Sequence, residues 1–163
     1  HGFVKMSLAD PMRQIVREIF GIESKTDPRY RKIMQKLGTD WFRSEDPDVW
    51  IKYLLKRTKA EYRPIVVDDV RFPNEALTLA QNEWKIVYLN CPDEIRIERC
   101  KARDGNFDNT TLSHPSETGV EQVVRAYRQG LIPKSAWIEI DASQGMEMVH
   151  KAIQEALSGP GHD

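Results

Sequence analysis

Ile65-Val66-Val67-Asp68-Asp69-Val70-Arg71-Phe72-Pro73-Asn74-Glu75 opens with four Val or Ile residues in six positions and then turns abruptly to charge. A short β-branched run of this kind reads as a strand buried on both faces, as in a parallel sheet covered by helices. Pro73 can open a helix as its first residue, so the stretch reads strand, charged turn, helix. Ligands of open α/β sheets bind beyond the carboxyl ends of strands, which puts Asp68, Asp69 and Arg71 where a site is expected. Neighbouring strand residues face opposite sides, so Asp69 and Asp68 should diverge.

Outward from this strand, helix and strand patterns alternate. Phe3 to Leu8 reads as a strand, followed by a helix with Asp10 as N-cap, Pro11 as first residue and Gly21 as stop. Its Met12, Ile15, Val16, Ile19 and Phe20 fall on one face. A second helix is expected from Asp27-Pro28, with Tyr30, Ile33, Met34 and Leu37 on one side and Gly38 ending it. A third follows Asp46-Pro47, with Trp50, Tyr53 and Leu54 on one stripe. After the central strand come a helix from Pro73 to about Asn82, a strand from Trp84 to Leu89, and a thinly apolar helix after Asp93. A helix with Val120, Val123, Val124 and Tyr127 on one face follows, then a strand from Trp137 to Ile140 and a helix from Met146 to Leu157, with Val149, Ile153 and Leu157 inward. Such alternation is the pattern of a parallel α/β sheet.

The 163 residues, 40% hydrophobic, suffice for one core and one domain. Twenty-four basic and 25 acidic residues leave a net charge of -1, which argues against a non-specific grip on nucleic acid or anionic membrane. Two cysteines, Cys91 and Cys100, make neither a disulfide framework nor a metal cluster and fit a reducing cytoplasm. No apolar run reaches the roughly 20 residues of a membrane helix, and no signal peptide is evident.

Several residues have chemical potential. Arg96, Arg99 and Arg103 share one helix face beside the polar stretch from Asp104 to Ser113; guanidinium forks suit phosphate oxygens, and the same spacing equally describes an exposed helix laced with Glu94 and Glu98. Asp69 can hold magnesium directly or through water, or accept a proton from a hydroxyl. His114 has no second histidine or cysteine at metal-ligand spacing. Trp41, Trp50 and Tyr30 can stack on a base or serve as core.

Taken together, Leu37-Gly38-Thr39-Asp40-Trp41-Phe42-Arg43, Asp48-Val49-Trp50, Asp69-Val70-Arg71-Phe72-Pro73-Asn74-Glu75-Ala76 and His114-Pro115-Ser116-Glu117 resemble, in order and spacing, the deoxynucleoside monophosphate kinases of tailed phages. Gly2 to Pro11 looks like that family's second strand and following helix. The resemblance covers nearly the whole chain. It implies a P-loop nucleotide kinase fold, in which a parallel sheet is covered by helices on both faces, with an acceptor-binding helical region over about 22–60 and a lid over about 96–118. It implies transfer of the γ-phosphoryl of ATP, with Mg2+, to a (deoxy)nucleoside monophosphate, a step of deoxynucleotide metabolism. Arg43 and Arg71 would hold the acceptor phosphate, and Asp10, Gln35 and Trp50 would line its pocket. Asp69 would position magnesium, through water. Arg99 and Arg103 would close on the phosphates, with His114, Ser116 and Glu117 in or beside the lid. Its partners would be nucleotides in the cytoplasm, the host's if the gene is a phage's, and a homodimer stays open.

One departure is clear: the chain contains no Gly-x-x-x-x-Gly-Lys-Ser/Thr loop to cradle the donor phosphates. The expectation is that the first, central strand and its loop are missing, with about 25 residues sufficing for a strand, loop and helix. Two alternatives remain: a related P-loop kinase for another phosphorylated small molecule or modified base, and a catalytically silent nucleotide-binding or partner-binding domain.

Overall fold

The computed structural model describes residues 2–104 and 115–158, without the side chains of 103–104 and 115–117. The chain divides into two compact units, His1–Thr78 and Leu79–Asp163. In chain order the elements are β1 (Val4–Met6), α1 (Asp10–Phe20), α2 (Tyr30–Gln35), a π-helical turn (Lys36–Trp41), α3 (Phe42–Glu45), α4 (Val49–Thr58), β2 (Ile65–Val67), α5 (Pro73–Gln81), β3 (Ile86–Asn90), α6 (Asp93–Asp104), α7 (Pro115–Arg128), a 3-10 turn (Lys134–Ala136), β4 (Trp137–Asp141) and α8 (Met146–Leu157). The class is α/β, and every strand pairing among the described residues is parallel.

In the first unit β1 pairs with β2 in register, Val4 opposite Ile65 and Met6 opposite Val67. The buried apolar residues of this unit include Met6, Leu8, Met12, Val16, Trp50, Ile51 and Leu54. In the second unit β3 pairs with β4, Ile86 opposite Trp137 through Asn90 opposite Asp141. Ile140, Ala142 and Val149 form a core cluster there, with Val87, Cys91, Ile138 and Ile153 packed against it. Tyr127 stacks on Trp137 with centroids 4.3 Å apart and planes 7° from parallel. Cys91 is thus part of this packing, and both cysteines are free thiols.

Several expectations need correction. Among the described residues the strands form two separate two-stranded sheets. Val66 is 45% exposed instead of covered on both faces, because β2 is only three residues long and is paired along one edge alone. Ala9, not Asp10, is the N-cap of α1, and Asp10 is its first residue. Gly21 does end α1, in the left-handed conformation at φ 64°, its N–H donating to the Val16 carbonyl. Ile19 and Phe20, on the expected apolar face, are exposed, because the buried contacts of α1 lie nearer its start, at Met12 and Val16.

Gly38 does not end a helix. The backbone continues from α2 through a π-helical turn into α3, so Thr39 to Arg43 are helical and not a loop. Gly38 is buried against Met12, whose Sδ would collide with any Cβ at this position. Its carbonyl accepts the indole N–H of Trp50 at 3.0 Å. In α4 the buried stripe is Trp50, Ile51 and Leu54, and Tyr53 is exposed beneath Arg57. On α8, Val149 is buried, while Leu157, in the last turn, is exposed. Among the described residues no helix is long and apolar enough to cross a membrane.

Candidate anion site at the end of the second strand

The two carboxylates after β2 diverge, as strand alternation requires. Asp68 pairs with Lys5 of β1, both side chains being about half exposed or more. Asp69 turns to the β1–α1 connection, where it accepts the main-chain N–H of Leu8 at 2.9 Å, that of Ala9 at 3.0 Å, and the Ser7 hydroxyl. These N–H groups precede a helix and have no partner within it, and the helix N-terminus favours a negative charge. Asp10 meets Asp69 through Ser7: its carboxylate accepts the Ser7 N–H at 3.0 Å. It also accepts Arg13 at 3.0 Å and Arg57 at 3.2 Å.

A second convergence lies just beyond. Glu75 is 0% exposed. One carboxylate oxygen, Oε2, accepts the main-chain N–H groups of Arg71 at 2.9 Å and Phe72 at 3.0 Å. A glutamate in the first turn reaching back to the residues before its helix is one half of a capping box, and the sequence Phe72-Pro73-Asn74-Glu75 supplies it. The other oxygen, Oε1, pairs with Nη2 of Arg43, whose side chain is only 14% exposed. The Arg43 guanidinium carbon lies 4.2 Å from the centroid of the Phe72 ring, and Nη1 donates to the Pro47 carbonyl at 3.3 Å. Asn74 fastens the same turns together, donating to the Pro47 carbonyl at 3.0 Å and to Asp48 at 2.8 Å.

Arg43, Arg71 and the start of α5 are therefore held at one place after β2. Sequence reading named the two arginines and omitted Glu75, whose signal was its position three residues into a helix opened by Phe72-Pro73. Trp50, expected to line a pocket, is 4% exposed, its indole N–H spent on Gly38 and its ring 4.9 Å from that of Phe42, so it is core. Gln35 ends α2 and is half-buried. A cleft of about 370 Å³ in the first unit is lined by Asp10, Arg13, Gln14, Arg17, Lys25 and Tyr30 among others.

In the second unit Arg99 spends its guanidinium on the turn after β4. It donates to the carbonyls of Ala142 at 2.6 Å, Ser143 at 2.8 Å and Gln144 at 3.0 Å. Arg96 pairs with Asp93 on its own helix at 3.0 Å. The side chains of Arg103, Ser116 and Glu117, the residue His114, and the stretch 105–113 within the lid expected over about 96–118 lie outside the described residues.

The fit to magnesium is limited to one mode. No group of three His, Cys, Asp or Glu among the described residues could hold a metal ion. Asp69 already accepts three hydrogen bonds, and a carboxylate has about four acceptor positions, which leaves room for one metal-bound water. Comparison with protein-family models, with curated proteins and with solved structures finds no significant match.

Proposed function

We propose that this chain serves phosphoryl transfer from ATP to a (deoxy)nucleoside monophosphate, in an α/β fold of the P-loop kinase kind. The observation that carries the reading is the joint anchoring of Arg43 and Arg71 to Glu75 beyond the carboxyl end of β2. Two arginines from separate segments, one of them in a largely desolvated setting, suit the charge and planar geometry of a monophosphate dianion. The acceptor's phosphate would lie against them, and its attacking oxygen would be oriented by the same contacts. Magnesium, when bound, would neutralise donor phosphate charge, and Asp69 would hold one of its waters. Arg103 would add charge from the lid; Arg99 could do so only by giving up the carbonyls it now caps. The sequence offers no glycine-rich donor loop, so the proposal assigns no residue to the donor phosphates.

A second reading, a silent nucleotide-binding or partner-binding domain, draws on the internal use of Asp69 and Arg99. The experiment that separates them is an assay of ATP and Mg2+ against a panel of nucleoside and deoxynucleoside monophosphates, with binding of each measured in parallel. Diphosphate product supports the first reading, and binding without turnover supports the second. With neither, the nucleotide reading falls. In the first case Arg71→Ala should weaken acceptor use by about 2 to 4 kcal/mol of transition-state stabilisation while sparing ATP affinity. Equal loss for both ligands would place Arg71 elsewhere.

A further inference from the structure

Among the described residues Glu75 is the most deeply buried charged one, and neither composition nor spacing gave it a role. We infer that it is a positioning residue: its carboxylate aims Arg43 and fixes the Arg71 main chain, so that the two arginines address a single phosphate group. The inference rests on the monophosphate reading above.

Every partner of this carboxylate is a donor. Oε2 receives two main-chain N–H groups and Oε1 receives Arg43. The pair is held from three sides, by Phe72 beneath the guanidinium, by the Pro47 carbonyl at Nη1, and by Glu75 at Nη2. These contacts use one N–H on each terminal nitrogen, and a guanidinium has five. The remaining Arg43 N–H groups donate to no group among the described residues and are held in a fixed direction. A fork fixed in this way loses less conformational freedom on gripping an anion, which favours affinity through preorganisation. Carboxylate and guanidinium also neutralise one another, so the arginine can stay in a buried place with no anion bound.

A glutamine at position 75 cannot replace the carboxylate. Its one carbonyl oxygen can face either the α5 cap or Arg43, and its amide NH2 then confronts a donor on the other side. The cap joins residues only three and four positions apart, whereas Arg43 is 32 positions away, so Glu75→Gln should keep the start of α5 and release Arg43. The test measures binding of dAMP, dCMP, dGMP and dTMP, and of the four matching deoxynucleosides, by the wild type and by Glu75→Gln. The expected result is a loss of about tenfold in affinity for the preferred monophosphate, with the affinity for its nucleoside unchanged. Phe72→Leu, which withdraws only the ring beneath Arg43, is the second variant should the first fail to fold, with an expected loss of about threefold on the same ratio. An unchanged ratio of monophosphate to nucleoside affinity in the folded variant, or equal loss of both ligands, overturns the inference and leaves the functional reading standing. A gain in monophosphate affinity also overturns it, since Glu75 would then be competing with the phosphate. A wild type that binds no monophosphate overturns both.

Discussion

Asp69, two residues beyond β2, accepts the main-chain N–H of Leu8, two residues beyond β1, at 2.9 Å. The paired strands of the first unit are thereby joined at their carboxyl ends by a side chain as well as along their edges. The contact spans 61 residues and closes the β1–α1 turn before the helix begins. The residue that the sequence marks as chemical is therefore also part of the frame.

Removing that carboxylate should cost stability first. Asp69→Ala strips the acceptor from Leu8, Ala9 and Ser7, and a part-buried donor left unmatched costs about 1–3 kcal/mol. Asp69→Asn, which keeps one oxygen acceptor, should lose less. Urea denaturation of the three proteins reads this directly. An Asp69→Ala midpoint equal to that of the wild type would remove Asp69 from the frame and leave it as a purely chemical residue.

Gly38 gives a packing prediction. A methyl group there meets the Met12 sulfur, and overpacking of a tight contact costs about 1–3 kcal/mol. Gly38→Ala should destabilise the protein, and Met12→Ala in the same chain should relieve the collision while adding its own cavity. The double-mutant cycle should then show a coupling above about 0.5 kcal/mol. Strict additivity would mean that the π-helical turn shifts freely to admit the methyl.

These positions show how far the sequence could be read. Periodic apolar spacing located α1 and α8 closely, since each helix carries its own pattern, and Pro73 marked the start of α5; α8 runs from Met146 to Leu157 as expected. Gly21 was legible because a left-handed cap is a local requirement. Gly38 misled for the converse reason. Its glycine answers to Met12, 26 positions away, and no local rule records that neighbour. The exposure of Val66 was hidden because β-branched composition reports what a strand can tolerate, whereas burial depends on which strands flank it. At the site, the two arginines were visible as guanidinium groups after Trp41-Phe42 and after Val70. That Arg43 leans on Glu75, and that Arg99 caps the turn at 142–144, are long-range pairings that composition and spacing leave open.

The turn capped by Arg99 should respond to acid. The Asp141 carboxyl is held below the ordinary aspartate value of 3.8, chiefly by the Ser143 hydroxyl and then by the Ser143 N–H, which lies 2.8 Å away. A folded-state value below the unfolded one means that folding favours the ionised form. The stabilisation is full above pH 3.8 and is lost as pH falls through the lower folded value. The stability difference between wild type and Asp141→Asn should therefore shrink as pH is taken below that point, and amide exchange at Ser143 should quicken. A difference that grows in acid would reverse the assigned direction.

The open edge of β2 leads to the last prediction. Among the described residues β2 is paired with β1 alone, and Val66 stands exposed at its middle. An apolar parallel strand with one unpaired edge is a template for a further strand, whose pairing would satisfy its free N–H and C=O groups. A segment composed of an apolar strand, a Gly-x-x-x-x-Gly-Lys-Ser loop and a helix, fused ahead of Phe3 through a flexible linker, should raise the thermal midpoint by pairing with that edge. On the proposed phosphoryl-transfer reading it should also raise turnover with ATP and a monophosphate, because the loop's backbone N–H groups and lysine would supply a phosphate cradle that this sequence does not contain. A control segment with the loop glycines and lysine replaced by alanine separates the two effects, since its strand can still pair while its loop cannot hold phosphate. The expected order is a higher midpoint for both fusions and a rise in turnover over the unfused chain for the first alone. Equal turnover from both would mean that the added strand acts by stabilising the domain and that the donor phosphates are held elsewhere. An unchanged midpoint in both would mean that β2 does not accept a strand on its open edge.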